Sequence, residues 1–268
     1  MLELYHSLIS PCAQKVRIVL HEKQLPYTSH VLNIVAKENL SPQYLRLNPE
    51  GVVPTLVHDG VPIVESSLIC EYLDELFPEP RLLRGSVHQR LRERLWAKRV
   101  DEKVHPALGA LAWTISMRRQ FLERGEAAAR DAIMRVPDPV RRSRQLRILA
   151  DGAGAPDVRD ALAVYRQFCE KTEATLTQSE WLSGEAFGFA DVVVTPYIHA
   201  LYQYDIAALF IGEQSATAAW FTRLQERPAY QDGVAALIPR SRAAQLAGWG
   251  RECRAVLSER IDEMDRVS

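Results

Sequence analysis

Apolar and polar positions recur in two different rhythms along this chain, and the change of rhythm divides it. Residues 2–5 are a short apolar run suited to a buried strand, whereas Val16, Val19 and Leu20 recur at helical spacing within 12–23. Residues 27–32 alternate as a strand does, and 41–47 predict a short helix ahead of the turn chemistry of Asn48-Pro49-Glu50-Gly51. Residues 55–58 and 61–64, joined by Asp59-Gly60, carry the strongest hairpin signal, because Asp-Gly suits the positive-φ turn that matches strand twist. A helix opens at Ser66 with Ile69, Leu73, Leu76 and Phe77 on one face. Pro78 and Pro80 end it, since proline cannot continue the N–H ladder. The order strand, helix, strand, short helix, hairpin, helix predicts a small mixed sheet covered by helices over residues 1–80.

After a linker at 78–87 the strand signals stop, and 87–240 reads as an all-helical domain. Residues 90–124 predict one long helix with Leu91, Leu95, Val100, Val104 and Leu108 inward and a bend at Pro106. Residues 136–156 hold Pro137, Pro139, Pro156 and Gly152-Ala153-Gly154, which predicts a connection with a single irregular helical turn. Helices resume at 157–177, 190–204 and 216–226. Residues 241–268 form a charged extension, either a further surface helix or a frayed end.

Composition narrows the function classes. Hydrophobic residues make up 47% and charged residues 25%, the balance of a chain that buries a core. Lys and Arg number 33 against 34 Asp and Glu, so no overall field draws a polyanion and nucleic acid is not an expected partner. The start of the chain lacks the basic-then-apolar layout of a secretory signal, and no apolar run reaches membrane-spanning length. A soluble, cytoplasmic protein is therefore expected, with no membrane partner. Cys12, Cys70, Cys169 and Cys253 form neither CxxC nor any zinc spacing, so thiols in a reducing compartment are expected and no metal site.

Three segments of the first domain carry candidate chemistry. Ser10-Pro11 opens the first helix, where Ser is a favoured cap and Pro a favoured first residue, and a capping Ser needs no further role. Val52-Val53-Pro54-Thr55 stands before the hairpin. A proline there suggests an edge or a cis turn that leaves the Val53 backbone groups open to an extended peptide, or else an ordinary loop proline. Glu65-Ser66-Ser67 opens a helix whose N–H groups suit a carboxylate, while Glu65 suits an ammonium; a plain helix cap is the alternative.

Taken together, Ser10-Pro11-Cys12-Ala13-Gln14-Lys15-Val16-Arg17, Asn48 to Leu56 and Val64 to Leu73 resemble the glutathione-binding domain of the glutathione S-transferase family. The resemblance implies an α/β thioredoxin-like N-terminal domain followed by an all-α domain, glutathione as cosubstrate, and a homodimer. It also implies a cis Pro54, with Val53 pairing with the cysteinyl part of glutathione and Glu65 and Ser66 holding the γ-glutamyl end. Ser10 stands where serine-type members donate a hydrogen bond to the sulfur. That bond and the nearby helix N-terminus lower the thiol's pKa. Asp101 matches a position from which some relatives reach the glutathione amino group across the dimer. Gly188-Phe189-Ala190-Asp191 stands where the family has a capping box; Gly188 replaces the usual Ser or Thr, so only the Asp191 half of the cap is expected.

Cys12 complicates the picture, since cysteine-type relatives carry Cys at the position of Ser10. Ser10 is favoured as activator, with Cys12 either packed or a secondary participant. The resemblance places the second substrate, a hydrophobic electrophile, in a cleft between the domains. His105, Trp113 and Met117 have the spacing to face that cleft, although core packing explains such residues better. The basic cluster Arg141-Arg142-Ser143-Arg144-Gln145-Leu146-Arg147 reads first as a solvated helical face. The long insertion that contains it is similar to the β-etherase branch, which makes glutathione-dependent aryl ether cleavage the runner-up. A non-catalytic glutathione- or protein-binding module is the third reading, and a thiol-disulfide oxidoreductase is disfavoured by the missing CxxC.

Overall fold

The structure is a computed structural model that describes residues 1–266. Its contacts group the chain into two compact units. The first comprises Met1–Lys98, Ser179–Pro196 and Ala219–Pro239, and the second comprises Arg99–Gln178, Tyr197–Ala218 and the chain from Arg240.

In the first unit the expected order appears as β1 (Leu2–His6), α1 (Pro11–Glu22), β2 (Thr28–Val31), α2 (Pro42–Leu45), β3 (Thr55–His58), β4 (Val61–Ile63), α3 (Ser66–Leu76) and α4 (Val87–Arg99). The sheet runs β2-β1-β3-β4, with β2 parallel to β1 and the other pairs antiparallel. Leu4 and Leu56 face each other in register and are fully buried, so the alternation read from sequence marks the inner face. Helix α1 is buried from Ala13 to Leu20 because α3 covers one side and residues 228–235 return to cover another. Lys23 Nζ, at its end, is held by Asp74 at 2.7 Å and by the carbonyls of Phe77 and Pro80, which fixes the chain where α3 stops.

The second unit is helical. The single helix expected over 90–124 is broken into α4, which belongs to the first unit, and α5 (His105–Ala112) and α6 (Arg118–Leu122) of the second, with wide i→i+5 turns at Val100–Val104 and Trp113–Met117. Pro106 has no N–H to give the carbonyl four residues back, and the first wide turn absorbs that missing bond. Near the second, Thr114 and Ser116 donate their hydroxyls to the carbonyls of Ala110 and Ala112, which loosens the ladder. Val100, Val104 and Leu108 are buried as expected, but Leu91 and Leu95 are exposed and α4 buries Glu93, Trp96 and Ala97 instead.

Residues 136–156 also depart from expectation. After α7 (Glu126–Met134), the chain forms α8 (Pro139–Asp151) rather than an irregular turn. Asp138 caps it by accepting from Val140 and Arg141 N–H at 2.8 and 3.2 Å, and Pro139 takes the first helical position. The proline that reads as a breaker is a starter. The basic cluster anchors this helix: Arg142 donates to Val136 O, Arg144 to Pro106 O, and Arg147 grips Asp157 with two bonds of 2.7 Å. The fold continues through α9 (Pro156–Leu176), α10 (Phe189–Gln203), α11 (Ala216–Gln225) and α12 (Arg240–Asp265). The extension is thus a helix that buries Leu246, Trp249, Leu257 and Met264; residues 267–268 lie outside the described residues.

The start of α10 corrects the expectation of a half-missing cap. Fully buried Asp191 accepts from Leu182, Ser183 and Gly188 N–H and from Trp220 Nε1 at 2.8–3.2 Å. The missing hydroxyl is supplied from a distance, because Ser183 Oγ accepts from Ala190 N–H at 3.1 Å and donates to Glu93 Oε2 at 2.7 Å. Gly188 is required by this exchange, since a Cβ there would lie 2.7 Å from the Ser183 hydroxyl and 2.9 Å from Leu82 O. Burial raises the Glu93 carboxyl above its usual 4.5, against the hydrogen bonds that it accepts. A raised folded pKa means that ionisation costs more in the fold than in the unfolded chain. Stability should therefore fall as pH rises from about 4.5 through the raised value, then level. We expect urea midpoints of Glu93→Gln to lose that slope while Glu93→Ala is destabilised at every pH.

Candidate functional site

Three chain segments leave the same end of the sheet. Tyr5 pairs with Thr55 and Leu56 with Ile63, so the loop after β1, the residues before β3 and those after β4 emerge side by side. Ser10 lies on the first, Val53 and Pro54 on the second, and Glu65 and Ser66 on the third.

Ser10 is the N-cap of α1, with an extended backbone and Pro11 following it. Its Oγ accepts from Ala13 N–H at 3.3 Å. That bond uses a lone pair and leaves the hydroxyl proton for an outside acceptor, so capping and hydrogen-bond donation are compatible in one atom. Cys12 is half-buried in the first turn of α1, and no disulfide joins it to another cysteine.

The Val53–Pro54 bond is cis. The carbonyl of Val52 is occupied by the Tyr44 hydroxyl and by Asn48 Nδ2, and both groups also reach Thr55 Oγ1, at 2.9 and 3.3 Å. Asn39 Nδ2 holds the preceding Gly51 carbonyl at 2.6 Å. Gly51 has φ +59, and a Cβ there would meet Leu40 Cδ2 at 2.6 Å, so the tight approach needs glycine. The strap is thereby fixed on one side, while Val53 N–H and C=O take part in no hydrogen bond among the described residues.

Glu65 is exposed at φ 68, ψ 101, a left-handed conformation that non-glycine residues adopt at a cost of about 1–3 kcal/mol and that clusters at functional sites. No side chain caps the helix that it precedes, which leaves the first N–H groups of α3 to serve an anion. Ser67 Oγ receives Lys15 Nζ at 3.0 Å, and the Lys15 side chain is entirely buried.

Sequence reasoning gave no role to Lys15, Tyr44 or Asn48. Their one signal is local: a lysine one residue before the apolar Val16 on α1, and a Tyr within a short helix with an Asn in the turn that follows it. Asp101 is carried by the second unit, on the Val100–Val104 turn. His105, in the same unit, meets the Tyr197 hydroxyl through Nδ1 at 3.3 Å, while Trp113 is a core residue with its ring 4.8 Å from Phe121. Among the described residues no cluster of His, Cys, Asp and Glu is suited to hold a metal, and no helix is long and apolar enough to cross a membrane.

A thioredoxin-like sheet that gathers two helix starts and a cis-proline strap at one end, followed by an all-helical region, is the architecture of the glutathione transferases. The family models for the glutathione S-transferase N-terminal and C-terminal domains match residues 4–81 and 150–228, and the chain belongs to that family, whose members use glutathione as cosubstrate. The chain is 38% identical over 105 residues to glutathione S-transferase 1 of Dianthus caryophyllus, a match that spans 39% of this chain and 48% of that protein. It is 29% identical over 210 residues to maleylacetoacetate isomerase of Pseudomonas aeruginosa, covering 77% of this chain and 84% of the relative. The crystal structure of β-etherase LigF from Sphingobium superposes with a TM-score of 0.77 at 25% identity, covering 87% of this chain and 98% of that one.

Proposed function

We propose that the protein transfers glutathione to an electrophilic, mostly apolar small molecule, with Ser10 as the group that holds the thiolate. The observation that carries this reading is a serine hydroxyl at the start of α1 whose lone pair is spent on the cap and whose proton is available. A hydrogen bond to the thiolate and the positive end of α1 both favour the charged form, so the thiol ionises nearer neutrality and its proton passes to solvent. Val53 pairs with the cysteinyl backbone, Glu65 takes the ammonium, and the start of α3 at Ser66, backed by Lys15, takes the γ-glutamyl carboxylate. The thiolate then forms an S–C bond as the leaving group departs with its electron pair, and proximity supplies most of the acceleration. Calorimetry of freshly reduced protein with glutathione, followed by turnover of an aryl halide, tests this. Binding with turnover is expected; no binding ends the reading, and binding without turnover across a broad electrophile panel favours a non-catalytic module.

The likeness to a β-etherase favours a second reading, in which the bond broken is an aryl ether C–O and a phenolate leaves as the S–C bond forms. Side-by-side turnover of a β-aryl ether and an aryl halide separates the two.

The functional molecule is a homodimer in this proposal. Val87, Leu91 and Leu95 form an exposed apolar stripe on α4, and Leu68 on α3 is 61% exposed. The bidentate pair between Arg94 and Glu71 ties α3 to α4 on this side. Glu75 on α3 and Arg92 on α4 are exposed as well, charges of opposite sign that a two-fold partner can match. Light scattering should report a dimer, and Leu91→Glu with Leu95→Glu should give a folded monomer.

A further inference from the structure

Arg17 lies behind the sulfur end of this site rather than in it. Its side chain is fully buried and points back along α1 toward the loop that carries Ser10, as helical side chains do. Its guanidinium donates to the carbonyls of Ser7 at 3.2 Å, Leu8 at 2.8 Å and Gly233 at 2.6 Å, and to His6 Nδ1 at 2.9 Å. A guanidinium only donates, so His6 Nδ1 accepts, and the neutral ring then presents Nε2–H to Ser29 Oγ at 2.8 Å. Burial and the neighbouring cation push His6 down to about 4, and burial lowers Arg17 to about 10, so near neutrality the ring is uncharged and the guanidinium charged. The ionisable groups that face Arg17 are His6 from β1, His21 from its own helix and Tyr27 from the chain before β2, with Asp232 acting on His21. No carboxylate bonds to it among the described residues.

A buried cation held only by carbonyls and a neutral imidazole is an expensive device for stability alone. What it achieves locally is geometric. Two adjacent carbonyls, those of Ser7 and Leu8, are clamped from one side, and Ser10 N–H in turn donates to Ser7 O at 3.2 Å. The loop between β1 and α1 is therefore fixed by a fork that only Arg presents. Gly233 makes room for it, since a Cβ there would come within 3.3 Å of the Arg17 backbone.

We infer that Arg17 is the positioning residue of the sulfur subsite: through the Ser7 and Leu8 carbonyls it sets where the Ser10 hydroxyl stands, and so how strongly bound glutathione is held as thiolate. The inference rests on the assignment of Ser10 to the sulfur. Its test is the pH dependence of the thiolate's ultraviolet absorbance in the glutathione complex, read with kcat and KM, for the unaltered protein, Arg17→Met and Arg17→Lys. Lysine keeps the charge but cannot span the carbonyls. Both variants should bind glutathione with KM changed little, lose about tenfold or more in kcat because misplacement of a reacting group is that costly, and ionise the thiol at higher pH. Variants whose ionisation midpoint and kcat match the unaltered protein overturn the inference, as does a loss confined to KM. If neither variant folds, Arg17 is a folding residue and the inference also falls. An unaltered protein that never ionises glutathione overturns the Ser10 assignment as well, which separates the two failures.

Discussion

Replacing Ser10 with Ala should lower glutathione-dependent kcat about 100-fold or more while binding of glutathione itself changes little, because loss of one preorganised donor to a developing or held anion costs about that much. The split follows from where the contacts lie. In the proposed binding mode Val53, Glu65 and the start of α3 grip the backbone and γ-glutamyl end of the tripeptide, and none of them depends on the serine hydroxyl. Only the sulfur does. The rate loss should shrink as pH rises, since the unassisted thiol ionises at high pH without help and the variant then approaches the unaltered protein. A second effect accompanies it: the variant loses a helix cap, which removes about 1 kcal/mol of stability and appears in the urea midpoint rather than in the pH profile. Ser10→Thr keeps both functions and should lose little of either. Cys12→Ser should retain turnover, because its position within the first turn of α1 is not needed for the donor. An Ala variant with undiminished turnover removes the Ser10 assignment, and a Cys12→Ser variant that has lost turnover moves the chemistry to the cysteine.

Much of the sheet and its site was legible because it rests on short-range signals. The Asp59-Gly60 hairpin, the Ser10-Pro11 start and the proline before β3 each announce themselves within a few residues, and the register of β1, β3 and β4 then collects them at one end. The supports of the site were not legible for a physical reason. Arg17 is buried by Gly233, Lys15 by Ser67, and Ser183 caps a helix through Ala190 beside Glu93. Each is a polar group that has at least one partner remote in the chain, and local periodicity assigns such residues to the surface. The same limit misplaced Leu91 and Leu95, which look inward by spacing while the true inner face of α4 holds Glu93. In α8 the error was of a different kind. Pro139 alone predicts a break, whereas Asp138 before it makes the pair a helix start.

Asp191 is the residue whose loss should damage the fold most. Its carboxylate is the common acceptor for three backbone N–H groups and the Trp220 indole. Asp191→Ala leaves three buried donors and the half-buried Ser183 N–H without an acceptor, and each buried group costs about 1–3 kcal/mol unless it finds water. Even with partial relaxation a loss of about 3–5 kcal/mol is expected, a large share of the roughly 5–15 kcal/mol that holds a domain together. Asp191→Asn separates charge from geometry. The asparagine oxygen can still serve one pair of donors, Leu182 N–H and Trp220 Nε1, which share Oδ1 at 2.8 Å each. Its amide N–H₂ then meets Ser183 and Gly188 N–H, donor against donor, so the variant should be destabilised by roughly half as much. If the cap matters only as a neutral spacer, the asparagine variant will unfold at the same urea concentration as the unaltered protein. If it matters as a four-fold acceptor, both variants fall in the order stated, and restoring a hydroxyl with Gly188→Ser will not rescue them, because Ser183 already fills that space.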